Sequence, residues 1–150
     1  MWDLLLKGGQ VIDPVNNIND VMDVAIEGGK IAAVGKDLVG RTKAVEDCNG
    51  LIVMPGVIDC HLHLGSTFGG PNGMRMAALS GVTSCIDMAG PLDDILEHGH
   101  TDGAGLNVAI MDCFYPTQAC GVHHPSRAQV ADYIDQMTAG GAIGIKLIGG

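Results

Sequence analysis

At 150 residues the chain has the length of one ordinary domain, which can bury roughly 68–70% of its unfolded surface. Hydrophobic residues make up 47% and aromatic residues 3% of it, with 23 glycines, so small aliphatic side chains in tightly turned elements must supply the core, as suits an α/β protein. The net charge of -9, with Lys and Arg scattered, argues against nucleic acid and anionic membrane as partners.

Five cysteines (Cys48, Cys60, Cys85, Cys113, Cys120) include no CxxC pair, and the N-terminus offers only Leu4-Leu5-Leu6 before Lys7, with no signal peptide. No apolar run approaches the ~18 residues that span a bilayer. A soluble, cytoplasmic protein with reduced thiols is expected.

The first fifty residues read as short strands separated by turns. Asp13-Pro14 closes the first, and Gly28-Gly29 joins Asp23-Val24-Ala25-Ile26 to Lys30-Ile31-Ala32-Ala33-Val34 as a hairpin. Asn49-Gly50 marks another turn. After Leu51-Ile52-Val53-Met54 the Pro55-Gly56 breaker sets a module boundary, giving modules 1–55 and 56–150.

Beyond it, short apolar runs at 57–63, 82–87, 106–112 and 142–148 have the texture of strands buried on both faces of a parallel sheet. Helical patterns fill the gaps at 72–80, 91–98 and 126–139. The last is the strongest: Ser126 with Gln129 forms a capping box, Val130, Ile134 and Met137 lie on one stripe, and Gly140-Gly141 ends it. The strand spacing is near the ~30 residues of a βαβ unit, so four βα repeats are expected, half of a (β/α)8 barrel. The sequence stops at Gly149-Gly150 just after a strand, where a half-barrel would leave strand edges unpaired, so a truncated chain is expected. A complete small doubly wound domain is the alternative, but it does not account for the β module in front.

The chemistry is concentrated in Asp59-Cys60-His61-Leu62-His63. In a regular strand His61 and His63 present two imidazoles to one side, where they can converge on a divalent ion such as Zn²⁺ at roughly 2.0–2.1 Å. Asp59 shares their face one step deeper, available to orient the ligands. Taken alone, the pair is equally two ordinary strand histidines.

The second feature is Lys146. Ala142, Gly144 and Lys146 share one face of their strand, and Ile143, Ile145 and Leu147 the other, so the lysine is aimed among small residues. Burying an ammonium is costly, so an anion or metal site receives it or it becomes a neutral amine; a lysine snorkelling at a strand end is the alternative, disfavoured by the apolar run around it.

The run Pro55-Gly56-Val57-Ile58-Asp59-Cys60-His61-Leu62-His63 resembles the PG-x-I-D-x-H-x-H signature of the amidohydrolase superfamily. The segment from Asp3 to Gly35 is similar to the small β-sandwich that hydantoinases, dihydroorotases and related deacylases carry before their barrel. The resemblance implies an N-terminal β-sandwich module followed by the first half of a metal-dependent hydrolase barrel. It further implies that Lys146 is carboxylated by CO₂ and bridges two divalent metals, zinc first with Mn, Ni or Co as alternatives, that His61 and His63 are ligands, and that a metal-activated water cleaves the amide of a small molecule, cyclic or N-acyl. Two further histidines and a catalytic aspartate would come from barrel strands five, six and eight, so no catalytic base is expected within these residues and the fragment alone should be inactive. A homo-oligomer is expected at full length.

Dihydroorotases usually carry an arginine two positions after the second histidine; Gly65 stands there, which favours hydantoinase-like or deacylase-like activity. Lys146 argues against the mononuclear deaminase branch. The alternative from another class is a non-catalytic, amidohydrolase-like scaffold, disfavoured by His61, His63 and Lys146 occurring together; a structural zinc domain lacks the necessary cysteine spacing.

Asp87 and Asp112 end their strands and read as loop caps. His123 and His124 lie in the loop before the best helix and are candidates to touch substrate, although surface histidines account for them. His98 and His100 are expected to face solvent. Gly69-Gly70 lacks the spacing and lysine of a phosphate loop.

Overall fold

A computed structural model describes residues 1–88 and 90–147. The chain divides into two compact units, Met1–Pro55 and Gly56–Gly150.

In the first unit, β1 (Trp2–Asp13), β2 (Ile18–Glu27), β3 (Lys30–Gly35), β4 (Thr42–Asp47) and β5 (Ile52–Val53) form one mixed sheet, ordered β3-β2-β1-β4 with β5 also on β1. The strands are longer than the turn signals suggested: β1 runs twelve residues because a register shift between Leu6 and Gly9, with Gly8 at φ 73°, bends it without ending it. Its first half therefore pairs in parallel with β4 and its second half with β5, producing a sandwich-like curl. The Gly28-Gly29 turn has φ values of 59° and 72°, the left-handed pair that a two-residue hairpin requires.

The buried polar residue of this unit is Asp23, only 3% exposed. Its carboxylate accepts from Lys7 Nζ at 3.0 Å and from the backbone N–H groups of Gly8 at 2.8 Å and Leu38 at 3.0 Å. Burial alone would raise its pKa, but these donors together hold it below the ordinary carboxylate value.

In the second unit, β6 (Val57–Leu62), β7 (Val82–Asp87), β8 (Asn107–Phe114) and β9 (Gly144–Leu147) form an all-parallel sheet in chain order. Between the strands lie α1 (Pro71–Leu79), α2 (Leu92–Thr101), the short α3 (Pro116–Cys120) and α4 (Arg127–Ala139). Among the described residues this is the succession of three βα units and a fourth strand of a half-barrel. α3 was not foreseen: five residues carry too little periodicity to register, and Pro116 is legible only as a helix start.

The core gathers Leu64, Met74, Cys85, Leu92, Ile95, Ile110 and Ala142, so α1 and α2 cover the sheet on one side. Two expectations fail here. β6 is not buried on both faces: Val57 is 45% and Ile58 65% exposed, because β6 is an edge strand with β7 as its sole sheet neighbour among the described residues. The α4 stripe is likewise only half used. Met137 packs against the core, whereas Ile134 is 41% exposed.

The capping box forms as the sequence indicates, with Ser126 Oγ accepting from the Gln129 N–H at 3.3 Å and the Gln129 side chain accepting from the Ser126 N–H at 3.0 Å. Ser126→Ala is expected to destabilise α4 by about 0.5–2 kcal/mol. Urea unfolding followed by circular dichroism checks this, and an unchanged midpoint would show that the cap contributes nothing.

Candidate metal centre

β6 delivers the two histidines to the C-terminal edge of the parallel sheet, the edge on which parallel α/β folds place their sites. Its path is not that of a regular strand. Asp59 pairs with Cys85 but Leu62 pairs with Asp87, so β6 carries one extra residue between Asp59 and Leu62. Such irregularities re-aim side chains and are common beside active sites. The Asp59 carboxylate accepts from the His61 backbone N–H at 2.9 Å, fixing the shifted segment. Asp59 thus holds the backbone of the first histidine.

The His61 and His63 rings lie 5.2 Å apart between centroids, at 53° to each other. Phe68 also packs against His63, ring centroids 5.0 Å apart. His63 Nδ1 is buried without a hydrogen-bond partner among the described residues. A buried imidazole nitrogen left so is costly, and a cation or a missing acceptor would satisfy it. The pair therefore fits a divalent ion. Among the described residues no three His, Cys, Asp or Glu side chains gather closely enough to share one, so any further donor must be of another kind or come from elsewhere.

Lys146 lies on β9 opposite Cys113 of β8 and is half-buried; Ala142, on the same face, is buried, while Leu147 on the other face is 74% exposed. Ile148 and the two glycines after it fall outside the described residues. Cys85, beside Asp59 in the sheet, is buried, and burial, reinforced by Asp87 and Asp59, pushes its thiol up to about 11.

Asp87 and Asp112 act as loop organisers. Asp87 is fully buried and accepts from the backbone N–H of Leu64 at 2.5 Å and of Gly90 at 2.7 Å. It ties the residue after His63 to the turn after β7. Asp112, 4% exposed, accepts from the Leu92 N–H at 2.7 Å and from the Tyr133 hydroxyl. Burial and that bond push the Tyr133 hydroxyl pKa well up. Thr67, Phe68, Pro91, Tyr115 and Gln118 line a cleft of about 360 Å³ beside Asp112.

His123 and His124 are exposed between α3 and α4. His100 is exposed as expected, but His98 is not simply solvent-facing. Its Nε2 lies 2.8 Å from Ser66 Oγ, and its ring contacts Asp94 at 3.5 Å and Asp102 at 3.7 Å. Sequence reasoning missed Ser66, Phe68 and Asp94. The i, i+4 spacing of Asp94, His98 and Asp102 on one helix face was the available signal, but Ser66 lies 28 residues from Asp94.

The glycine two positions after His63 now has a steric account. A Cβ at Gly65 would lie 2.7 Å from the Gly90 carbonyl oxygen and 3.1 Å from Asp94 Oδ2, so an arginine there would require the turn after β7 to move.

No family model matches the chain. Allantoinase from Escherichia coli (strain SMS-3-5 / SECEC) is 43% identical over 99 residues, covering 63% of this chain and 21% of that protein. A structure of D-aminoacylase, described with a binuclear metal centre, superposes with a TM-score of 0.73 at 25% identity over 97% of this chain and 38% of that one; another, described as defining a novel subset of amidohydrolases, does so at 0.71 and 26% identity. D-hydantoinase from Bacillus sp. AR9 gives a TM-score of 0.65 at 25% identity over 91% of this chain and 31% of that one. The chain thus spans about a fifth of the length of the curated relatives it matches.

Replacing Asp87 by alanine leaves two buried N–H groups without their acceptor, at about 1–3 kcal/mol each. Thermal unfolding of Asp87→Ala is expected to show a lowered midpoint, together with faster hydrogen exchange at Leu64 and Gly90; unchanged exchange at both would contradict the organising role.

Proposed function

We propose that the chain belongs to the amidohydrolase superfamily and supplies the first metal-binding strand and the bridging lysine of a hydrolase of amide C–N bonds outside ordinary peptides. The substrate class is a cyclic amide or an N-acyl compound. The observation that carries this reading is the His61–His63 pair, with rings 5.2 Å apart and a buried, unpartnered Nδ1 on His63. Its support from relatives is the allantoinase match together with the D-aminoacylase and D-hydantoinase superpositions.

His61 and His63 would each donate one imidazole nitrogen, and Lys146, once carboxylated, an oxygen to each of two ions, zinc being the first choice. Bound there, divalent metal would acidify a water and polarise the scissile carbonyl. Asp59 fixes the backbone of His61, and Asp87 fixes the backbone just after His63. The sheet order sets one requirement on this ligand set. β6 and β9 are the two outer strands, so a flat sheet would separate them by roughly 14 Å, three interstrand spacings. Bringing Lys146 to the histidines needs the curvature of a closed barrel.

In this reading residues 1–55 are the N-terminal β module and 56–150 the first half of the catalytic barrel; the general base and the remaining ligands lie on later strands. His123 and His124, on the loop after β8, are assigned to the substrate-facing side, and the assembly is a cytoplasmic homo-oligomer. Among the described residues no helix is long and apolar enough to cross a membrane.

The test uses the longest natural polypeptide containing these residues. Elemental analysis is expected to find stoichiometric divalent metal, lost in the His61→Ala, His63→Ala double variant along with hydrolysis of hydantoin, allantoin and N-acyl amino acid substrates. Unchanged metal content in that variant would sink the site assignment.

A further inference from the structure

Immediately after His63 the chain makes a short helical turn, Ser66–Phe68, before α1 begins at Pro71. That turn contains no buried residue, and its preceding glycine, Gly65, provides no side-chain cap. Its hydrogen bonding to α2 is nonetheless dense. Asp94 receives the Ser66 N–H on Oδ2 at 2.6 Å and the Ser66 hydroxyl on Oδ1 at 2.5 Å. These two donors, the hydroxyl foremost, hold the Asp94 carboxyl below the ordinary carboxylate range, so it is ionised at neutral pH. With its proton committed to Asp94, the Ser66 oxygen is left to accept from His98 Nε2 at 2.8 Å.

The same histidine ring closes the far end of the turn. A Cβ on Gly70 would sit 2.9 Å from His98 Nε2, and Gly70 has φ 49°, so the ring fills the space that a side chain there would need. One carboxylate and one imidazole, both from α2, therefore hold the segment 66–70 at its start through Ser66, and the imidazole also borders Gly70 at its end.

What the turn carries is Phe68, and Phe68 packs on the His63 ring. Phe68 is itself 59% exposed, so core packing does not fix it; its position follows from the turn that holds it. We propose that Asp94 and His98 are positioning residues for the His63 imidazole, acting through Ser66 and the Phe68 ring. The proposal rests on the reading of His63 as a metal ligand for its functional meaning, but not for its geometry. Partners that orient a ligating histidine typically matter 10–100-fold in metal affinity.

The experiment therefore has a metal-free arm and a metal arm, on the same polypeptide as above. In the first, ¹³C- and ¹⁵N-labelled histidine NMR on chelator-treated protein measures the order of the His63 ring. It is expected to fall in Asp94→Ala, His98→Ala and Phe68→Ala, and the double variant Asp94→Ala, Phe68→Ala should lose no more than Phe68→Ala alone, because the two act in series. Phe68→Tyr, which retains the ring, should keep the order. In the second arm, zinc affinity by chelator competition should drop 10–100-fold in the same variants and be retained in Phe68→Tyr. Ser66→Ala removes the shared hydroxyl while sparing both α2 side chains, and gives the same readout where an α2 variant does not fold. An unchanged His63 ring in Asp94→Ala and Ser66→Ala, or losses that add in the double variant, would overturn the proposal. A ring that loosens in a protein whose native form binds no zinc supports the positioning network and removes instead the metal reading.

Discussion

The second unit depends on the buried carboxyl of Asp87. At the end of β7, with no exposed surface, it accepts the N–H groups of Leu64 and Gly90, one just past β6 and the other in the turn after β7. A carboxyl removed from water persists only if its hydrogen bonds are made, and here the donors are backbone groups of two different loops. The consequence is that the exit of the histidine strand and the exit of its neighbour are a single object. The Met88 N–H donating to the Leu62 carbonyl at 2.9 Å extends the pairing one step past the strands.

From that junction the candidate metal centre is built outward in layers of contact. The Asp59 carboxylate holds the extra residue of β6 in place through His61 N–H, the two imidazoles lie close together, and Phe68 packs against the His63 ring. Gly65 is where the layers meet, since a Cβ there would run into the Gly90 carbonyl and the Asp94 carboxylate. The absence of an arginine there is thus a packing requirement of this loop arrangement.

Elements whose information is local were legible in the sequence. The Ser126–Gln129 box, the Gly28-Gly29 hairpin and the four parallel strands follow from periodicity and turn chemistry over a few residues. The closeness of the two histidine rings, 5.2 Å between centroids, was legible from their two-residue spacing. What escaped was non-local or irregular: the extra residue in β6 breaks the two-residue period from which the shared face of Asp59 and His61 was argued, and the Ser66, Asp94 and His98 contacts join residues 28 and 32 positions apart. The half-exposed α4 stripe shows the converse, a periodic apolar pattern that the described residues only partly bury.

The central claim is that His61 and His63 donate imidazole nitrogen to one divalent ion. X-ray absorption at the zinc edge of the reconstituted polypeptide tests it most directly. The account predicts imidazole scattering from nitrogen at about 2.0–2.1 Å that disappears when both histidines are replaced; a spectrum with no imidazole contribution, or one unaltered by the replacements, would contradict it.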